Sequence, residues 1–227
     1  MTTDESFKYL KEVIVPDKAA GLDWDKLSAA RSLIFEDPTT AYKYAKEIVK
    51  GRATSVEDCI ASSGYNSYYY AKNVLGGPFP KGEAAIAADP YYSRAYAELV
   101  LKGPFLKGED AIATEAVHAY LYAKDVLKSA FPLGEAQISN NARHSHYYAK
   151  DILKAPFPRA EAAIATSAEW SFEYARDVLK APFALGEAAI SKCPLTLKRY
   201  VALFPKRAEK VVNANLGDFK AWLVPTA

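Results

Sequence analysis

The chain has 227 residues, half of them hydrophobic, with 29 Lys and Arg against 27 Asp and Glu. So even a balance excludes a strong whole-molecule field toward nucleic acid or membrane, and local charge placement must carry any electrostatic function. No apolar run approaches the roughly 18 residues that would span a bilayer, and the opening MTTDESFKYL lacks the basic and apolar regions of a signal peptide, so the sequence reads as cytoplasmic.

Residues 1–29 read as a degenerate capping repeat. Tyr9, Leu10, Val13 and Ile14 share one helical face, yet Tyr9 precedes Tyr44 by 35 residues, which implies a nine-residue insertion around GLDWDK. From 30 to 205 the period is strict. Tyrosine recurs every 26 residues at Tyr44, Tyr70, Tyr96, Tyr122, Tyr148, Tyr174 and Tyr200, and isoleucine at Ile34, Ile60, Ile86, Ile112, Ile138, Ile164 and Ile190. A fixed period of this length predicts an all-α solenoid, a superhelix of about seven two-helix repeats forming one continuous domain. Residues 206–227 read as the C-terminal cap, with Val212, Leu216, Phe219 and Leu223 as a last apolar stripe and Trp222 covering exposed core.

Within a repeat, Asp89 followed by Pro90 is an N-cap and a first-turn proline. Asp37, Ser63, Asn141, Ser167 and Cys193 hold the same slot. The first helix is predicted to run about a dozen residues and stop at Gly103-Pro104, where glycine supplies a left-handed cap. Tyr, Ala, Val or Ile, and Leu at positions 0, +1, +4 and +5 from the tyrosine form its apolar face, and small residues such as Ser93 at −3 permit close helix approach. Phe79, Phe105, Phe131, Phe157 and Phe183 fall in the connecting loop as plugs between repeats. A short second helix opens on glutamate at Glu57, Glu83, Glu109, Glu135, Glu161 and Glu187, a first-turn carboxylate with a structural role. Cys59 and Cys193 lie too many repeats apart for a disulfide and read as thiols.

Positions −2, +2 and +6 are expected to form one exposed flank. Tyr120, Lys124 and Lys128, then His146, Lys150 and Lys154, then Phe172, Arg176 and Lys180 would line up as aromatics bordered by cations. Such a ribbon suits stacked bases beside a basic track, or an acidic protein surface. It also suits a plain solvated strip, in which Asp125, Asp151 and Asp177 pair with lysines three residues on. The histidines His118, His144 and His146 cluster mid-chain, with His118 and His144 one repeat apart, but they are too few for a metal site. No GxGxxG, P-loop, GxSxG or HExxH occurs, so neither catalysis, nor a cofactor, nor a metal is indicated. The least regular group, His144, His146, Tyr147, Trp170 and Phe172, is the expected partner-binding spot, with Tyr120, Lys124, Lys150 and Arg176 beside it.

The unit YAKDVLK-x-PFP-x-GEAAIA, as written around Tyr122 to Ser139 and Tyr148 to Ala165, resembles uncharacterised helical repeat proteins of bacteriophages and bacteria. In length and two-helix layout it is also similar to the leucine-rich repeat variant, an α-solenoid. The resemblance implies a noncatalytic scaffold that binds a protein, such as a phage protein acting on a host factor in the host cytoplasm, and carries over no catalytic residue. The alternative expectation is a nucleic-acid or nucleotide binder using the ribbon.

Overall fold

The computed structural model describes residues 2–14 and 23–213. The stripe expected from Leu216 to Leu223, Trp222 included, lies outside them, as does part of the expected insertion. The chain falls into two compact units, Met1–Ile112 and Ala113–Ala227. Both are all-α repeat stacks of the solenoid type, and no strand occurs among the described residues.

The first unit holds α1 (Thr3–Ile14), α2 (Trp24–Glu36), α3 (Pro38–Lys43), α4 (Glu57–Ala61), α5 (Gly64–Tyr70), α6 (Glu83–Ala87), α7 (Pro90–Tyr96) and α8 (Glu109–Ile112). The second holds α9 (Ala116–Leu121), α10 (Glu135–Ser139), α11 (Ala142–Tyr147), α12 (Glu161–Ile164), α13 (Ala168–Tyr174), α14 (Glu187–Ile190), α15 (Pro194–Leu203) and α16 (Ala208–Asn213). The caps sit where the sequence places them. Asp37, Ser63, Asp89, Asn141 and Ser167 each accept from the backbone N–H three residues on. Cys193 makes no such bond and accepts from the Thr196 hydroxyl.

The first helix of the interior repeats differs from expectation in its second half. Its α-helical turns give way to a π-helical turn, as in Tyr122–Leu127, Tyr148–Leu153 and Ala175–Leu179. The wide turn closes because two successive N–H groups reach one carbonyl: Lys128 and Ser129 both donate to Ala123 O. The left-handed residue is therefore not Gly103 but the one before it. That slot is Lys50, Lys102, Lys128, Lys154 and Lys180, with φ between 50° and 55°, and only Gly76 meets the conformation with a glycine. A side chain in this region costs on the order of 1 kcal/mol. Lys128→Gly is accordingly expected to raise stability by about 0.5–1 kcal/mol in urea unfolding, while Lys124→Gly, inside the helical turn, lowers it.

The periodic columns lock successive repeats together. Tyr70, Tyr96, Tyr122, Tyr148, Tyr174 and Tyr200 are fully buried, whereas Tyr44 at the head of the column is half-buried. The hydroxyls of Tyr70, Tyr96, Tyr148, Tyr174 and Tyr200 each serve two partners. Tyr148 accepts from Phe131 N–H at 2.8 Å and donates to Glu135 Oε1 at 3.0 Å. Tyr96 treats Phe79 and Glu83 alike, and Tyr174 treats Phe157 and Glu161 alike. Burial pushes these three hydroxyls up to about 12, so each remains a donor at neutral pH. The phenylalanine rings pack on the preceding tyrosine, Phe157 on Tyr148 at 5.4 Å, which makes the expected plug a two-sided tie. Small residues at −3 do more than permit approach. Ser67, Ser93, Ser145 and Ser171 donate to the carbonyl of the isoleucine seven residues earlier. A Cβ at Gly108 would lie only 2.6 Å from Ser93 Oγ and Phe105 Cδ1, so the start of the short helix packs directly on this column.

Candidate functional site

All nine residues singled out from the sequence belong to the second unit, on α9, α11, α13 and the π turns that follow them. The Asn141 and Ser167 caps fix where α11 and α13 begin, and this sets which side chains meet. Tyr120 and Tyr147 lie near-parallel, 6.0 Å between centroids and 28° between planes. His144 stands 6.0 Å from Tyr120. Trp170 packs 5.7 Å from His146 and 5.6 Å from Tyr147. The structure thus joins Tyr120, His144, His146, Tyr147 and Trp170 into one aromatic string.

The exposed ribbon is corrected. Its aromatic −2 members Tyr42, Tyr68, Tyr120, His146 and Phe172 are all buried, 9% exposed or less, whereas Arg94 in the same column is half-buried and Lys198 is exposed as expected. An aromatic ring at −2 therefore turns into the groove between neighbouring first helices instead of to solvent. Phe172 is covered by guanidinium groups, Arg176 at 5.4 Å and Arg199 at 4.3 Å from its ring. The cations are engaged as well. Lys124 lies 3.6 Å from Asp151, which also accepts from Tyr120 at 2.6 Å. Lys150 bonds Asp177 at 2.8 Å, and Arg176 reaches Asp177 and Glu173. Asp151 and Asp177 thus pair with the +2 cation one repeat back, and Asp177 with Arg176 of its own repeat as well, not with the lysine three residues on. In the first unit, Tyr42 accepts from Asn73 across the same 31-residue offset as Tyr120 and Asp151.

His146 sits at the centre of this ladder, 1% exposed, with Nε2 3.7 Å from Asp177 Oδ2 and Nδ1 buried without a hydrogen-bond partner. Burial lowers its pKa, with Asp177 and Glu173 opposing and Lys150 and Arg176 reinforcing. Burial and Arg143 lower His144 likewise. A depressed histidine favours the neutral form in the fold. Its stabilising contribution is complete above the unfolded-state value near 6.5 and is lost as pH falls below it. Urea midpoints should therefore drop between pH 7 and pH 5, and His146→Phe, which copies Phe172 in the same column, should reduce that drop.

What remains outward-facing is a different set of columns. Between α9 and α11 lies a cleft of about 490 Å³ lined by Val117, Tyr120, Leu121, Lys124, Arg143, His144, Tyr147 and Asp151. Tyr147, one of its walls, and Trp170 packed against that ring are half-buried. Sequence reasoning missed the counterpart in the first unit, where Tyr65, Tyr69, Tyr91 and Tyr92 form a contiguous patch. Tyr65 and Tyr91 are 48% and 44% exposed. The available signal was irregularity: position −5 reads Tyr65, Tyr91, Val117, Arg143, Glu169 and Leu195, which no packing rule selects.

Among the described residues, no three His, Cys, Asp or Glu side chains gather as a metal site would require, and no helix is long and apolar enough to cross a membrane. No protein-family model matches the chain, and neither a curated protein nor a solved structure is significantly similar to it.

Proposed function

We propose that the chain is a noncatalytic repeat scaffold that binds another protein through the starts of its first helices, at positions −5, −4 and −1. The observation that carries this reading is the division of labour between columns. Residues that keep the 26-residue period are consumed in joining repeats, while the irregular columns expose aromatic surface at Tyr147 and Trp170. Half-buried Tyr and Trp beside an arginine are the side chains on which protein interfaces concentrate their binding energy. The rings lean on one another, so little rotamer freedom is left to lose on association.

Selection of a randomised displayed-peptide library on the intact protein tests this. Saturable binders are expected, and Tyr147→Ser with Trp170→Ser should weaken them at least about 30-fold, the effect of losing a hot spot worth about 2 kcal/mol. An unchanged circular dichroism spectrum would confirm that the double variant is folded. A library that yields no saturable binder, or binders indifferent to the two substitutions, overturns the reading.

A further inference from the structure

The cleft between α9 and α11 has a chemistry of its own. Val117, 36% exposed, and Leu121 give it an aliphatic side, and the Tyr147 ring gives it an aromatic wall. Its charges are unevenly committed. Asp151 is taken up by the Tyr120 hydroxyl at 2.6 Å and by Lys124 at 3.6 Å. Arg143 is exposed, lies 6.0 Å from the Tyr147 ring, and has no carboxylate within ion-pair distance among the described residues. Its slot is held by Val117 one repeat earlier and by Glu169 one repeat later, so the cation belongs to this cleft alone within the unit. His144 adds a buried Nδ1 with no partner.

We infer that this cleft receives an acidic peptide segment, seating an aromatic side chain against Val117, Leu121 and Tyr147 while an adjacent carboxylate pairs with Arg143. The inference rests on the protein-binding reading and adds the partner's chemistry to it. Charge complementarity selects the occupant. A single guanidinium without a carboxylate partner matches one carboxylate, and a guanidinium fork suits that group's planar geometry. A phosphate backbone would need several free cations along its path and would meet Asp151. The cleft's volume lies in the roughly 300–1,000 Å³ range of sites that hold small groups.

The test uses 3-phenylpropionate and its neutral analogue 3-phenylpropanol as probes, followed by amide shifts of the intact protein. Phenylpropionate should shift resonances of Val117, Leu121, Arg143 and Tyr147 saturably, and at least about 5-fold more tightly than the alcohol. Arg143→Glu should cost at least about 10-fold for phenylpropionate and leave the alcohol unchanged, and Arg143→Lys should recover part of the loss. Equal affinity for the two probes, or insensitivity to Arg143→Glu, overturns the inference. Because the probe pair is compared on the unaltered protein, no folding defect can mimic that result. If displayed peptides bind at Tyr147 and Trp170 but are not enriched in an aromatic residue next to Asp or Glu, the carboxylate chemistry falls and the protein-binding reading stands. If phenylpropionate binds with the stated charge dependence but no displayed peptide does, the protein-binding reading falls.

Discussion

Tyr148→Phe is expected to lower unfolding stability by about 2–4 kcal/mol, although the ring stays and no cavity opens. The lost hydroxyl leaves Phe131 N–H without its acceptor in a buried setting and removes the O–H that donates to Glu135. An orphaned buried amide costs about 1–3 kcal/mol, and a hydrogen bond to a charged group contributes about 1.5–3, discounted here because Glu135 is half-exposed. Tyr65→Phe, on the exposed patch, should stay within about 0.5 kcal/mol of the parent. Alkaline titration provides an independent check. The folded-state value is pushed up to about 12 from 10.0, mainly by burial. This contribution is therefore whole below pH 10 and is lost as pH rises toward 12, and Tyr148→Phe should reduce the alkaline loss.

Phe157→Ala is expected to cost more, about 3–5 kcal/mol, by cavity formation and lost transfer energy together. Phe157 is 4% exposed and joins two tyrosines, its ring on Tyr148 and its N–H on the Tyr174 hydroxyl. Truncation leaves the N–H bond in place and removes only the ring. Phe157→Leu, which keeps most of the volume, should therefore return much of the loss. The Tyr148→Phe and Phe157→Ala effects should not add, because the two rings are in contact, and a double-mutant cycle in urea measures the coupling.

Much of this architecture was readable from residue spacing because it rests on identities that recur. The Tyr, Ile, Phe and Glu columns, and the caps at Asp89 and Asn141, are each required by a local rule that repeats. Two features were not readable. A π turn of five or six residues is too short for its wider period to separate from the α period, so Tyr148–Leu153 reads as plain helix. The direction of position −2 depends on how neighbouring helices pack, which spacing within one helix does not encode. That is why spacing alone places Tyr120, His146 and Phe172 outward, whereas packing buries them. The candidate site was legible as irregularity. His144, Tyr147 and Trp170 are conspicuous because nothing in the repeat demands them, whereas Tyr65 and Tyr91 are masked by the abundance of tyrosine in the chain.

The recurring bonds have short reach along the chain. Serine to isoleucine carbonyl spans 7 residues, tyrosine to glutamate 13, tyrosine to phenylalanine amide 17, lysine to aspartate 27 and tyrosine to aspartate 31. Each loop that must close to form them is therefore small, and the entropy lost in closing it stays low. A chain stitched at such separations has low contact order within each unit, so it should fold quickly, outward from whichever pair of repeats forms first. Removal of one whole 26-residue period from within a unit should then leave a folding protein, while a deletion of 20 residues should not.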